Sequence, residues 1–261
     1  MTVPEVLQVF HGGLTGRVHA SRRPARDKSA PVFVLLHGIG VSHRYLRRLH
    51  RELARTGDTY SFDLPGFGGT PTPPRQLSVP EHGAFVIDVL ERLGVESCVL
   101  VGHSMGAQFA VEAARLRPDL VAQLVLMGPV VDVRRRGALR QALDLALDCA
   151  LFESPSANWL VLADYFRCGP RWYLTELPVM MAYPIEDRIR GVGAPVLVVR
   201  GARDPVASET WCRLLAGVAP AGRLHQVPGR GHVVQHTASG EVARAIRLFA
   251  SSPERPLGAT A

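Results

Sequence analysis

The chain has 261 residues, 47% of them hydrophobic, and its formal net charge of +7 comes almost entirely from arginine. This size suits one domain with a substantial core, and no apolar run approaches the roughly 20 residues of a membrane-spanning helix. The first ten residues have neither the basic region nor the long apolar region of a signal peptide. We therefore expect a cytoplasmic protein without a membrane span.

The first part of the chain predicts a hairpin followed by alternating strands and helices. Two short runs of strand-forming residues flank Gly12-Gly13, which favours an antiparallel hairpin. The continuous apolar run from Pro31 to Leu36 is typical of a parallel strand covered on both faces. The other elements predicted here are a polar loop over 21–30, a helix over 45–55, a strand over 59–63 and a helix over 79–93 that Ser78 caps.

The second part of the chain repeats this alternation with one long interruption. The segment 131–193 is rich in helix formers and aromatic residues and shows no strand pattern. The elements predicted around it are strands over 98–101, 121–127, 195–199 and 223–227, helices over 107–116, 208–216 and 241–250, and a frayed tail after 250. We therefore predict an α/β fold with a mostly parallel central sheet and helices on both faces.

The sequence Gly102-His103-Ser104-Met105-Gly106 lies between a predicted strand and a predicted helix. Strand, tight turn and helix in this order form a nucleophile elbow, in which glycines make room for a strained serine. The turn lifts the Ser104 hydroxyl above the carboxyl edge of the sheet. It also directs the Met105 N–H, at the start of the helix, toward the oxygen of a group that Ser104 attacks. Ser104 is the candidate nucleophile.

A serine hydroxyl needs a base, and His232 is the candidate because it follows the last predicted strand in Gly229-Arg230-Gly231-His232. Asp204 follows the strand before it and would orient the histidine ring. Asp132 also follows a strand and is a rival for this role. The loop His37–Gly40 after the apolar strand supplies a second backbone donor, which we assign to the Ile39 N–H. An apparent pKa of roughly 6–7 is expected for a histidine base.

These residues resemble the α/β-hydrolase superfamily. The likeness rests on five motifs: HGIG at 37–40, DLPGFGGT at 63–70, GHSMG at 102–106, GARD at 201–204 and GRGH at 229–232. The resemblance implies an α/β-hydrolase fold whose core domain comprises 1–130 and 194–261. It implies that 131–193 is a helical lid (cap) inserted after the sixth strand, and that Asp63 to Gly69 forms a structural loop.

The leading functional prediction is a serine hydrolase that cleaves an ester, thioester or lactone of a small apolar or aromatic substrate through an acyl-enzyme. Trp159, Trp172, Met180 and Met181 suggest an apolar roof over Ser104. Two enzymatic alternatives stay open: hydrolysis of a carbon–carbon bond in a diketone, and cofactor-free haloperoxidase-type perhydrolysis. A ligand-binding protein that kept the fold without turnover is the alternative of another class.

Cofactors, metals and nucleic acids are not expected. The glycine-rich stretches lack the dinucleotide and P-loop patterns, and the four cysteines show no metal or redox spacing. His225, His232 and His236 have no carboxylate at a matching ligand spacing, so a metal site is not predicted. His37 and His103 are expected to pack or hydrogen-bond locally. The basic clusters at 22–28, 44–55 and 134–136 are interpreted as solvated faces, since no nucleic-acid-binding motif accompanies them.

Overall fold

The computed structural model describes residues 4–23, 30–135 and 137–251. Within these ranges the chain forms a sheet of eight strands in the order β1-β2-β4-β3-β5-β6-β7-β8. Strand β2 runs in the opposite direction to the other seven. The strands are β1 (Glu5–His11), β2 (Leu14–Ser21), β3 (Val32–Leu36), β4 (Asp58–Asp63), β5 (Cys98–His103), β6 (Val121–Met127), β7 (Val196–Gly201) and β8 (Arg223–Val227). The predicted hairpin is β1–β2.

Ten α-helices connect and cover these strands in the described part of the chain. They are α1 (His43–Leu53), α2 (Val79–Arg92), α3 (Met105–Leu116), α4 (Ala138–Leu151), α5 (Pro155–Cys168), α6 (Pro170–Ala182), α7 (Ile185–Arg188), α8 (Glu209–Val218), α9 (Val234–Thr237) and α10 (Ser239–Ala250). Ser78 caps α2 as predicted, and its side chain forms a capping box with Glu81. The short helix α9 was not predicted.

The apolar strands form two cores because successive side chains point to opposite faces of a sheet. In β3, Phe33 and Leu35 pack on the face covered by α1 and α10, whereas Val34 and Leu36 pack on the face covered by α2, α3 and α8. The continuous apolar run thus serves both faces, as predicted. The architecture is an α/β-hydrolase fold, with the carboxyl ends of β3 to β8 at one edge.

Helices α4 to α7 lie between β6 and β7, and we refer to them as the inserted helices. Buried polar contacts fix them to the rest of the molecule. The Asp164 carboxylate on α5 accepts the Ser42 hydroxyl at 2.6 Å and the Arg44 guanidinium at 2.9 Å. Glu176 on α6 accepts the Leu77 N–H at 3.2 Å and lies 3.2 Å from the His82 ring. Arg44 is therefore part of an anchoring contact rather than of a solvated face.

Some sequence predictions fall on parts of the chain outside the described ranges. Most of the predicted polar loop over 21–30, nearly all of the tail after 250 and Arg136 of the third arginine cluster lie there. Among the described residues, no helix has the length and apolar character needed to cross a membrane.

Candidate active site

Ser104 lies in the tight turn between β5 and α3. Its backbone angles, φ 55° and ψ −121°, are in a region that residues other than glycine rarely adopt. The turn is closely packed, because a Cβ added at Gly102 would overlap the Gly106 carbonyl, and one at Gly106 would meet the His37 carbonyl oxygen at 2.5 Å. Only glycine fits at both positions. The path of the chain therefore follows directly from the Gly-x-Ser-x-Gly sequence.

His232 and Asp204 meet at the carboxyl edge of the sheet. The Nδ1 atom of His232 lies 2.9 Å from Asp204 Oδ2, and both side chains are almost completely buried. The other oxygen, Asp204 Oδ1, accepts the backbone N–H groups of Val206 and Ala207 at 2.8 and 2.9 Å. These two bonds hold the carboxylate in place, so that it presents Oδ2 to the histidine. His232 and Ser104 line the same cavity.

The charges around His232 alter its pKa. Burial alone would lower this pKa, because a buried site disfavours the charged ring. The Asp204 carboxylate outweighs burial and, together with Asp148 and Glu153, raises the pKa of His232 above its ordinary value. The sequence-based expectation of roughly 6–7 is therefore too low, since two of these three carboxyl groups come from residues that the sequence did not connect with His232.

Asp132, the rival acid, has other partners. It lies in the loop after β6, where Oδ1 accepts the Arg134 N–H at 2.9 Å and Oδ2 accepts the Ser208 hydroxyl at 2.9 Å. Ser208 in turn caps α8. These contacts tie the start of the insertion to the start of α8, and the histidine Nδ1 is bonded to Asp204 instead. Of the two candidates, the structure brings only Asp204 to His232.

The two candidate oxyanion donors come from different elements that meet at Ser104. Ile39 lies in the loop after β3 and lines the cavity beside Ser104. A Cβ added at Gly38 would meet Ser104 Cβ at 3.0 Å, which shows how close this loop lies to the serine. Met105 is the first residue of α3, where backbone N–H groups have no acceptor within the helix. Both backbone segments are thus adjacent to the Ser104 hydroxyl.

A buried hydrogen-bond chain links the Ile39 loop to the His232 loop. The Gly38 N–H donates to the Tyr45 hydroxyl at 2.8 Å, and this hydroxyl lies 2.7 Å from His103 Nδ1. At the other side of the ring, His103 Nε2 lies 3.0 Å from the His232 carbonyl oxygen. The carbonyl can only accept, so Nε2 carries the proton and Nδ1 accepts from Tyr45. The prediction that His103 bonds locally agrees with these contacts.

The cavity at Ser104 is small and apolar. Its volume is about 270 Å³, and its lining includes Tyr45, Tyr165, Tyr173 and Met180. Among the described residues that line it, none is Asp, Glu, Lys or Arg. The inserted helices supply much of this lining, since Tyr165 belongs to α5 and Tyr173 and Met180 belong to α6. The described lining of the cavity is therefore mostly apolar, with Ser104, His103 and His232 among its polar members.

The predicted apolar roof is partly wrong. Met180 lines the cavity, but Trp159 is 69% exposed, on the outer surface of α5. Trp172 is buried against Gly66 and Phe67 instead of over Ser104. Met181 packs against the core at the edge of the insertion. Helical periodicity identifies the apolar face of a helix. Which side chains of that face line the cavity depends on how the helices pack against the rest of the molecule.

One group of side chains in the described ranges has the composition of a metal site. Potential ligand atoms of His19, His43 and Asp63 lie within 4.8 Å of one another. The Asp63 carboxylate already accepts the His43 backbone N–H at 2.8 Å, and each histidine ring lies within about 3 Å of it. Arg17 approaches to 3.8 Å and adds positive charge. These contacts favour a hydrogen-bonded cluster. His225, His232 and His236 do not form a comparable group among the described residues.

The sequence analysis did not identify the polar side chains that hydrogen-bond to the loops around Ser104 and His232. Tyr45 lies on α1, and the sequence pattern of that helix indicated only that one face packs against the core. Asp148 and Glu153, whose carboxylates accept the backbone N–H groups of His232 and Val233, lie in the insertion. The available signal was the presence of carboxylates in the otherwise apolar run 142–153. Such residues are rarely buried without partners, which the sequence alone does not identify.

Comparisons with known proteins agree with this fold. A model of the "Alpha/beta hydrolase family" matches residues 33–245. The chain is similar to "Putative carbamate hydrolase RutD" of Pseudomonas savastanoi pv. phaseolicola, with 26% identity over 78% of this chain and 87% of that protein. Among solved structures, Est816, described as "an N-Acyl homoserine lactone degrading enzyme", superposes with a TM-score of 0.80 at 22% identity, over 93% of this chain and 100% of that one. Carboxylesterase CesB of Bacillus subtilis gives a TM-score of 0.76 at 17% identity, over 95% and 92%.

Proposed function

This chain belongs to the alpha/beta hydrolase family, and we propose that it is a serine hydrolase that cleaves an ester, thioester or lactone through an acyl-enzyme on Ser104. One observation carries the proposal. A serine in a strained turn lines the same cavity as a histidine whose Nδ1 is bonded to a buried aspartate. This combination gives a nucleophile, a base and a group that orients the base.

In the proposed mechanism, neutral His232 takes the proton of Ser104 as the hydroxyl attacks the carbonyl carbon. Asp204 keeps the Nδ1 proton directed toward its own carboxylate, which leaves Nε2 as the base. The imidazolium that forms is stabilised by the same carboxylate. His232 then gives the proton to the leaving group, and an acyl-enzyme remains on Ser104. Water activated by His232 hydrolyses this ester and restores the serine.

The N–H groups of Ile39 and Met105 are the proposed oxyanion donors. The negative charge of the tetrahedral intermediate develops on the former carbonyl oxygen, and fixed donors stabilise it without reorganising. The series of hydrogen bonds from Gly38 through Tyr45 to His103 supports this role. It fixes the Ile39 loop relative to the His232 loop before substrate binds. Preorganisation of this kind is the usual source of rate enhancement at such sites.

We assign residues 131–193 as the lid domain over a core domain of 1–130 and 194–261. The inserted helices supply residues such as Tyr165 and Met180 to the cavity that Ser104 lines. A lid in this place would exclude water and choose the substrate. The volume of about 270 Å³ is slightly below the roughly 300–1,000 Å³ of common ligand sites. Together with a described lining that holds no Asp, Glu, Lys or Arg side chain, it favours a small, neutral, apolar acyl or aromatic group.

The first experiment combines active-site labelling with a substrate panel. A fluorophosphonate should label the wild-type chain, and Ser104→Ala should abolish labelling and lower turnover by roughly 10⁴–10⁶-fold. Neutral esters and lactones with short and medium acyl groups should react faster than substrates that carry a carboxylate near the scissile bond. A ring-cleavage diketone belongs in the panel, because its hydrolysis in preference to esters would favour the carbon–carbon alternative.

The outcomes are distinct. Labelling at Ser104 with measurable ester or lactone turnover supports the proposal. A folded chain that neither labels nor turns over any member of the panel would point to a binding protein that kept the fold without catalysis. The folded state of Ser104→Ala is checked by thermal unfolding, since a small side chain at this position should leave the packing intact.

A further inference from the structure

Two carboxyl groups of the insertion hold the backbone beside His232. Asp148 lies on α4, and Glu153 follows the end of that helix, where its N–H bonds back to the Asp148 carbonyl at 3.1 Å. Asp148 Oδ1 accepts the His232 N–H at 2.9 Å, and Glu153 Oε1 accepts the Val233 N–H at 2.7 Å. The backbone N–H groups of His232 and Val233 thus bond to two different carboxyl groups, both at the C-terminal end of α4.

Gly231 shows how closely the two parts fit. A Cβ added at Gly231 would overlap Asp148 Oδ1 and would lie 2.8 Å from Glu153 Oε1 and 2.9 Å from Phe152 Cβ. The space that any other residue's side chain would need is therefore filled by the two carboxyl groups and the helix end. This explains why the histidine loop has a glycine directly before His232.

The outer oxygens of the two carboxyl groups lack a donor. Asp148 Oδ2 and Glu153 Oε2 are buried, and neither has a hydrogen-bond partner among the described residues. Two ionised carboxylates this close would repel each other and leave both oxygens unsatisfied. One proton held between them would remove one charge and supply the missing donor. In keeping with this, burial raises the pKa of Asp148 to about 6 and that of Glu153 to about 7.

We propose that Asp148 and Glu153 share one proton and act as positioning residues for His232, with their single remaining charge adding to that of Asp204. The proposal rests on the proposed function, in which His232 is the base. The ionisable groups that face the pair are His232 and Asp204, from the loops after β8 and β7, and Cys149 on the same helix. The pair acts through His232 and does not line the cavity.

The shared proton predicts a non-additive response to neutral substitutions. Asp148→Asn or Glu153→Gln leaves one carboxyl without a like-charged neighbour, so each single variant keeps one negative charge. Each should therefore keep the acid limb of its kcat/KM profile close to that of the wild type. The double variant keeps no charge, and its acid limb should move to lower pH by roughly half to one unit, because the pKa of His232 falls.

Asp164→Asn is the matched control, because it removes a carboxylate from the neighbouring inserted helix without touching the His232 loop. It should leave the acid limb in place. Equal, additive shifts in the two single variants would overturn the shared proton and indicate two independent charges. An unchanged limb in the folded double variant would reduce the pair to a structural contact.

Infrared spectroscopy tests the proton without relying on activity. At pH 6 exposed carboxyl groups are ionised, because their pKa values lie near 4. A C=O stretching band of a protonated carboxyl should persist in the wild type at this pH. It should weaken in both single variants, whose remaining carboxyl is still buried but has lost its like-charged neighbour, and it should be absent from the double variant. Asp164→Asn should retain it. Absence of the band in the wild type would overturn the proposal even if Ser104 proves to be the nucleophile. Its presence in a chain without turnover would leave the shared proton standing and reject only the catalytic role.

Discussion

Two buried aspartates at the edge of the sheet differ in what they bond. Asp204 accepts two backbone N–H groups and contacts the His232 ring, whereas Asp132 bonds Ser208 and the backbone of Arg134. If Asp204 orients the base, Asp204→Asn keeps the shape but favours the wrong imidazole tautomer. We expect it to lose roughly 10⁴-fold in kcat, and Asp132→Asn to lose little. Steady-state kinetics on the best ester of the panel measures both.

The reverse ranking of these two variants would assign the acid to the loop after β6. Both variants must be shown to fold, since Asp132→Asn weakens the cap of α8 and costs some stability by that route. At the residue scale, the sequence predicted Ser104 and His232 from local motifs. It favoured Asp204 and kept Asp132 as a weaker rival, because a side chain's partner depends on how distant loops pack.

The inserted helices depend on a few buried polar anchors. Asp164 accepts the Ser42 hydroxyl and the Arg44 guanidinium, and Ser42 also caps α1. Asp164→Ala leaves these donors without their acceptor. Because Arg44 is partly exposed and can be hydrated, we expect a loss of about 1–3 kcal/mol in the free energy of unfolding. Urea denaturation measures this loss.

The same variant should also open the insertion locally. Limited proteolysis should cut Asp164→Ala within 138–182 faster than it cuts the wild type, since local opening costs less once an anchor is gone. Asp187→Ala is the matched control, because Asp187 is an exposed carboxylate on α7. Cleavage of Asp164→Ala at the wild-type rate would show that the other contacts alone hold these helices.

At the scale of elements, the strands and the helices of the core were predicted almost completely. Continuous apolar runs such as Pro31 to Leu36 and caps such as Ser78 are local signals, and they place elements without knowledge of their neighbours. The insertion was predicted as helical, but its orientation was not. Trp159 was assigned to the cavity and lies on the outer surface, since an amphipathic pattern does not say what covers each face.

Asp63 connects three parts of the whole molecule. It is the last residue of β4, and its carboxylate contacts the ring of His19 on β2. The same carboxylate accepts the backbone N–H of His43 at the start of α1 and contacts Nδ1 of the His43 ring. Burial alone would raise the pKa of Asp63, but the hydrogen bonds from His19 and His43 hold it well below its usual range. The N-terminal hairpin, the central sheet and α1 therefore depend on the ionised form of one carboxyl group.

This dependence predicts how acid destabilises the molecule. The pKa of Asp63 is lower in the folded chain than in the unfolded one, so its contribution is complete above about pH 5 and is lost as the pH falls below about 4. Asp63→Asn should be less stable than the wild type at pH 7 by about 1–3 kcal/mol. As the pH falls from 5 to 3, the wild type should lose stability more steeply, and the difference between the two should shrink.

Asp119→Asn serves as the control for this prediction. Asp119 is exposed, and the hydrogen bond from Arg117 lowers its pKa to about 2. A surface pair contributes little to folding, because water screens it in both states. The control should therefore follow the steep acid profile of the wild type, although its own pKa shift has the same direction as that of Asp63. Urea denaturation at a series of pH values compares the three chains. Parallel profiles for Asp63→Asn and the wild type would show that the acid sensitivity comes from other carboxylates and that the buried cluster is held by its packing.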